Sequence, residues 1–203
     1  ELGKRGHRFV RYADDCNIYV QSERAGQRVM EGVERFISKR LKLKVNAAKS
    51  AVARPWERKF LGFTFTANRQ PKRRVAPKAL ARFTQKVREL TRRTRGISVE
   101  TMVEQLSSYL RGWGSYFGFC QTPSVLENLN SWVRRRLRSF QWKQWKRGRR
   151  RFAELRKRGV GSYSAAVTAG APHGPWRISR CPALQQAMPD AYWMKLGLPR
   201  LMA

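Results

Sequence analysis

Two aspartates stand side by side in a chain that has only three, Asp14 and Asp15. They fall in Ala13-Asp14-Asp15, which joins His7-Arg8-Phe9-Val10-Arg11-Tyr12 to Cys16-Asn17-Ile18-Tyr19-Val20. Both flanking runs are short and rich in aromatic and branched residues, the composition of paired strands. The pattern predicts a β-hairpin with both carboxylates at its tight turn. In most chains an aspartate pair is simply a polar turn. Two carboxylates held at one point repel each other, however, unless a cation lies between them, and hard oxygen ligands suit Mg²⁺. In this setting the pair points to metal-assisted phosphoryl transfer on a nucleic acid.

Charge narrows the partner. Lys and Arg total 44 against 13 acids, a formal net charge of +31, and the excess is concentrated. Residues 67–95 hold eleven basic residues and one acid, Glu89; residues 134–158 hold thirteen and one acid, Glu154. Short charge runs are usually solvated faces, but self-repulsion on this scale calls for a polyanion, and nucleic acid is the expected one. A membrane is not expected: no run of eighteen apolar residues exists, and no basic amphipathic segment stands outside a packed fold. Cys16, Cys120 and Cys181 are far apart and odd in number, which reads as reduced thiols of a cytosolic protein. With His7 and His173 as the only histidines there is no His/Cys cluster for zinc, and so no HNH-type nuclease module. The first residues, Glu1-Leu2-Gly3-Lys4-Arg5-Gly6, have no apolar stretch after them and are not a signal peptide. A strand so close to Glu1 leads us to expect an upstream portion of the fold.

The order of elements sets the class. Ser22 can cap a helix to about Leu41, with Val29, Val33, Phe36, Ile37 and Leu41 on one face. Leu41-Lys42-Leu43-Lys44-Val45 alternates at period two and predicts a short strand; Asn46 to Ser50 follows as a loop, and Lys59 to Phe65 predicts another strand. This β-β-α-β-β order is an α+β unit over residues 1–66. Residues 67–77, with Pro71 and Pro77, read as a basic linker. Beyond it the pattern is helical. Pro77 opens a stripe of Leu80, Phe83, Val87 and Leu90, Ser98 caps one running to Trp113, and Thr122-Pro123 opens one reaching Phe140. A basic helix is expected around residues 150–157, closing a helical segment at 78–158, and residues 159–203 read as a loop-rich tail with short helical pieces. Trp113, Tyr116, Phe117 and Trp132 sit on the apolar stripes and read as core more readily than as base-stacking platforms.

These residues resemble a known family, the group II intron-encoded reverse transcriptases, also called maturases. Phe9-Val10-Arg11-Tyr12-Ala13-Asp14-Asp15 is similar to their catalytic hairpin. Leu41 to Ser50, with Asn46 and Lys49-Ser50, looks like the next block, and Lys59-Phe60-Leu61-Gly62-Phe63 resembles the block that grips the primer. Leu106 to Trp113, then Tyr116-Phe117, and Trp132 to Arg138 look like the maturase-specific thumb, or domain X. The end, from Gly174-Pro175-Trp176-Arg177 to Leu196-Gly197-Leu198-Pro199, resembles that of bacterial members lacking an endonuclease module. The implied architecture is α+β, the second part of a reverse-transcriptase palm (antiparallel hairpin, helix, strands) followed by an all-helical thumb.

The resemblance implies roles. Asp14 and Asp15 would be catalytic metal ligands, holding two Mg²⁺ together with a third aspartate from an earlier palm strand. That third ligand is not in this chain, whose remaining aspartate is Asp190 in the C-terminal region. Tyr12 and Ala13 would line the nucleotide and primer-end pocket, Lys49 would lie near the triphosphate unless it is one more solvated lysine, and Phe60, Leu61 and Gly62 would hold the primer terminus, or form a buried strand, or both. Arg82, Lys86, Arg92, Arg93, Arg134, Arg135, Arg136 and Arg138 would bind RNA through backbone and shape. Implied partners are group II intron RNA, a DNA primer or target and deoxynucleoside triphosphates, in a bacterial-type cytoplasm associated with nucleoid or ribonucleoprotein. Two functions remain open, an RNA-directed DNA polymerase and a splicing maturase that needs no polymerase chemistry. Another bacterial reverse transcriptase is the alternative family, although it would not account for Leu110-Arg111-Gly112-Trp113. The missing carboxylate argues against DNA synthesis by this chain alone.

Overall fold

The computed structural model describes residues 2–201. Residue 1 of the expected palm segment and residues 202–203 of the expected tail lie outside the described residues. The chain divides into two units, Glu1–Ala76 and Pro77–Ala203.

In the first unit, β1 (Arg8–Tyr12) and β2 (Asp15–Tyr19) pair antiparallel, with Arg8 opposite Tyr19 and Tyr12 opposite Asp15. That register leaves a two-residue turn, Ala13-Asp14. Ala13 takes the left-handed φ of +49°, and Arg11 Nε donates to its carbonyl at 2.9 Å. Helix α1 (Glu23–Arg40) begins at Ser22, whose hydroxyl accepts from the Ala25 amide at 3.2 Å. Gly26 is the buried contact of α1, and a Cβ there would stand 2.5 Å from Val52 Cγ1. Only a glycine lets that segment come so close to the helix.

The strand expected over residues 41–45 does not form. The Leu41 and Leu43 amides both donate to Ile37 O at 3.2 Å, and Lys42 adopts φ +56°. These residues therefore finish the helix, and among the described residues no strand lies alongside to pair with their period-two pattern. The strand expected over residues 59–65 is cut in two. Phe60 and Phe63 exchange backbone hydrogen bonds at 2.9 Å around Leu61 (φ +50°) and Gly62 (φ +78°). Positive φ at both central residues is the primed turn whose twist suits a hairpin. After it β3 (Phe63–Phe65) pairs with β4 (Arg73–Val75), Phe63 opposite Val75. Part of the stretch read as a linker is thus a strand: Arg73 and Arg74 disguise it, while Val75 is buried against the turn.

The second unit is helical: α2 (Pro77–Leu90), α3 (Val99–Phe117), α4 (Pro123–Gln144), α5 (Gly148–Lys157), α6 (Ser162–Gly170), α7 (Pro175–Ile178), α8 (Pro182–Ala187) and α9 (Asp190–Lys195). Proline opens α2, α4, α7 and α8, where its missing amide costs nothing. Ser98 caps α3, accepting from the Thr101 amide at 3.1 Å. The core joins Phe83 and Val87 of α2 to Met102, Val103, Leu106 and Leu110 of α3, and to Leu126, Val133, Leu137 and Phe140 of α4. Each such side chain contributes about 1.5–3 kcal/mol relative to exposure.

The expected loop-rich tail is instead built into this core. Ala165, Leu184, Met188, Trp193 and Leu201 are buried, Ser107 Oγ donates to Gly197 O at 2.9 Å, and the Leu201 amide donates to Asn130 Oδ1 at 3.1 Å. Pro175 and Pro182 start helices and Pro189 is the N-cap of α9, so none of the three interrupts one. The result is a mixed α+β chain, a small strand-bearing palm segment followed by a helical thumb. Among the described residues no helix is long and apolar enough to cross a membrane.

Candidate functional site

The hairpin register decides where the two acids point. Side chains alternate across a strand, and directly opposed residues share a face. Tyr12 and Asp15 are such a pair, with Val10 and Asn17 on the same side, while Arg11 and Cys16 occupy the other. Asp14 sits in the turn itself. Both acids are exposed, and the Tyr12 ring is 63% exposed beside Asp15. Cys16 lies on the exposed hairpin, where partial desolvation of its thiol raises its pKa and Arg11 opposes the shift. The hairpin presents carboxylates and an open aromatic face.

Lys49 lies in the turn after α1, where its amide donates to Asn46 Oδ1 at 3.2 Å and its carbonyl accepts from Arg58 Nη2 at 2.7 Å. Its backbone is pinned and its ammonium is exposed. Phe60, Leu61 and Gly62 lie in the primed turn closed by the Phe60–Phe63 backbone pair, with Leu61 and Gly62 at its tip.

In the second unit the run Arg134 to Arg138 turns toward the protein. Arg134 is 8% exposed, and its Nε lies 2.8 Å from Asp190 Oδ1. Arg135 lays its guanidinium 3.8 Å over the Trp176 ring and donates to Trp176 O at 3.1 Å. Arg136 donates to Thr91 Oγ1 at 2.5 Å and covers Trp132 at 5.4 Å. Arg138 donates to Ser179 O at 3.0 Å. Burial lowers the pKa of all four, and for Arg134 and Arg138 the Asp190 carboxylate partly restores it. These guanidiniums tie α4 to the turn after α2, to α7 and to α9. A sequence shows such a run only as charge; the partners, Thr91, Trp176, Ser179 and Asp190, are each more than forty residues away.

Other cations stay outside. Arg82 and Lys86, four residues apart on α2, are exposed, as are Arg92 and Arg93 in the turn that follows. Lys86 makes one exposed ion pair, 3.5 Å from Glu89, of the weak surface kind. Sequence reasoning left unnamed Lys146, Arg147, Arg149 and Arg150 at the start of α5, which are exposed as well. The block count over residues 134–158 contained them, but no periodicity separated them from the inward arginines. Of the aromatics, Trp113 is core, its ring 4.6 Å from Phe83 and 4.5 Å from Phe117, whereas Tyr116 is 47% exposed.

Residues 1–65 match the family model of the reverse transcriptase (RNA-dependent DNA polymerase), and residues 80–159 match that of the group II intron maturase-specific domain. No curated protein matches the chain. A reverse-transcriptase segment followed by a helical maturase-specific domain defines an intron-encoded reverse transcriptase/maturase. The two matches together place this chain among the group II intron reverse transcriptase/maturases.

Family members use Mg²⁺, and Asp14 and Asp15 are oxygen donors of the right kind. Among the described residues no three His, Cys, Asp or Glu side chains come together, and Asp190 is held by Arg134 and Arg200. The hairpin presents two carboxylates, which by themselves do not fit a two-ion centre.

Proposed function

We propose that the chain binds folded group II intron RNA through phosphate contacts and assists its splicing as a maturase. In a complete polymerase of this family its hairpin would contribute Asp14 and Asp15 to the Mg²⁺ centre that copies the RNA from a DNA primer with deoxynucleoside triphosphates. Tyr12, Ala13, Lys49 and the Phe60-Leu61-Gly62 turn would then face the nucleotide and primer end. The chain on its own is an RNA-binding module without DNA synthesis, and its place is a bacterial-type ribonucleoprotein in the cytoplasm.

The observation that carries the RNA-binding reading is the exposed row Arg82, Lys86, Arg92 and Arg93, which lies within the maturase-specific match and is not absorbed by the fold. Flexible cations at a helix surface meet phosphates rather than base edges. Arg134, Arg135, Arg136 and Arg138 support binding in this reading indirectly, by fixing α4 against the turn after α2, α7 and α9.

Affinity for structured RNA should therefore fall steeply with salt, since each neutralised phosphate contributes about −0.7 to −0.9 to the log–log slope. A slope shallower than about −2 would contradict the reading. Primer extension on an RNA template with Mg²⁺ and all four nucleotides tests the rest: no product is expected, and product that vanishes in Asp14→Ala would show that the chain polymerises unaided.

A further inference from the structure

A hollow of about 410 Å³ opens within the helical unit, where the end of α4 meets the starts of α3 and α5. Its lining includes Ser98 and Glu100 from the start of α3, Gln141 and Gln144 from α4, Lys146 from the turn after α4 and Arg150 from α5. The floor is fixed by two carboxamides. Gln144 Nε2 donates to Ile97 O at 2.7 Å, which ties α4 to the residue before the α3 cap, and Gln141 Nε2 donates to Gln144 Oε1 at 3.4 Å. Gln141 is 8% exposed, yet its carboxamide oxygen receives no hydrogen bond among the described residues. That acceptor is available to a donor held in the hollow.

The fold does not account for the charges around it. Glu100 stands in the first turn of α3, where a helix favours an acid, but Lys146 and Arg150 stand just before and within the first turn of α5. That end of a helix disfavours cations, and the α5 turn carries no acid to offset them. The side chains of Glu100, Lys146 and Arg150 are exposed, and among the described residues none of the three forms an ion pair or a side-chain hydrogen bond. Two cations and a carboxylate thus line one hollow without neutralising one another. A ligand that satisfies this lining carries an anion for Lys146 and Arg150 and hydrogen-bond donors for Glu100 and Gln141. The volume lies in the usual range for small-molecule sites, about 300–1,000 Å³, and suits one nucleotide. A ribonucleotide has each group required: a phosphate, a 2′-hydroxyl and a base N–H, whereas DNA lacks the hydroxyl. We propose that this hollow seats one ribonucleotide of a strand, its phosphate between Lys146 and Arg150, its 2′-hydroxyl donating to Glu100 and its base donating to Gln141, so that the site distinguishes RNA from DNA. It deepens the RNA-binding reading, rests on it for the identity of the polyanion, and uses none of the exposed row Arg82, Lys86, Arg92 and Arg93.

The test uses the whole chain with a single-stranded RNA oligonucleotide and the 2′-deoxy oligonucleotide of the same sequence. The parent should bind the RNA about three- to tenfold more tightly than its deoxy counterpart, the size of one hydrogen bond. Glu100→Ala should bring the two affinities within about twofold of each other by weakening RNA binding alone, since removing a carboxylate does not loosen a hold on phosphate. Lys146→Gln/Arg150→Gln should weaken both oligonucleotides about tenfold and lower the salt slope by about 0.7, the share of one single-strand phosphate. All three side chains are exposed, so these variants leave the core intact. A parent that binds the two oligonucleotides equally, or a Glu100→Ala variant that keeps the parent's preference, overturns the sugar contact and with it this site. If Lys146→Gln/Arg150→Gln binds both as the parent does while Arg82→Gln/Lys86→Gln is weakened, the hollow is overturned and the broader reading stands. A parent chain that binds no RNA overturns both readings.

Discussion

Arg135 holds Trp176 twice, stacking its guanidinium 3.8 Å over the indole and donating to the same residue's carbonyl at 3.1 Å. Planarity makes this possible, because the face of the guanidinium meets the ring while its edge meets the oxygen. Arg135→Lys keeps the charge and loses the geometry. We expect it to cost about 1 kcal/mol, and Arg135→Ala about 1–2 kcal/mol. Urea unfolding checks both, and a lysine variant as stable as the parent would show that charge alone suffices.

Asp190 and Arg134 should respond asymmetrically. Asp190→Asn leaves a nearly buried guanidinium without its carboxylate, and we expect a loss of about 2–4 kcal/mol. Arg134→Met leaves a carboxylate that is 46% exposed and still has Arg200 at 3.3 Å, so the loss should be smaller. Thermal denaturation of the two single variants decides this, and equal losses would argue against burial as the cause.

Leu61 is a leucine in a left-handed conformation, at φ +50° in a two-residue turn. That conformation costs an ordinary residue about 1–2 kcal/mol, while glycine adds unfolded-state entropy of about 0.4–1 kcal/mol. Leu61→Gly should therefore stabilise the strand-bearing unit by up to about 1 kcal/mol. Hydrogen exchange of the Phe63 amide, bonded to Phe60 O, reports on this turn, and faster exchange in the variant would mean that the leucine side chain holds the corner.

The hairpin acids and the α2 cations should separate cleanly. Asp14→Asn/Asp15→Asn removes two negative charges from a cationic chain and should leave RNA binding unchanged or slightly tighter. Among Arg82→Ala, Lys86→Ala, Arg92→Ala and Arg93→Ala, those that touch phosphate should each reduce the salt slope by about one. Filter binding across salt distinguishes the sets, and loss of binding in the hairpin variant with all four cation variants intact would reverse the assignment.

The sequence made the long helices legible and the short strands only in part. Helices α1 to α4 announce themselves because apolar residues recur at three and four and because Ser22, Ser98, Pro77 and Pro123 mark their starts. The hairpin at Asp14-Asp15 was legible for the same reason, a local pattern with a local partner, except that Asp15 opens β2 opposite Tyr12 and only Asp14 of the two acids lies in the turn. Leu41 to Val45 carried the pattern of a strand, but a strand is made by its neighbour, and the left-handed Lys42 committed those amides to the end of α1. β4 was hidden because Arg73-Arg74 reads as linker charge, and the turn at Leu61 because leucine is not a turn residue. In the candidate site, exposure of the α2 cations followed from helical spacing, whereas the inward turn of Arg134 to Arg138 depended on groups far along the chain.

The long separation between those arginines and their partners bears on how the protein is made. Helix α4 leaves the ribosome with Arg134, Arg135 and Arg138 facing nothing of their own, since Trp176, Ser179 and Asp190 are translated more than forty residues later. Until then the helix is an open cationic strip in a cell full of RNA. A nascent or prematurely stopped chain therefore displays more charge than the finished one, and arrival of the last helices withdraws those guanidiniums from bystander nucleic acid, so that completion of synthesis itself sharpens what the protein can hold.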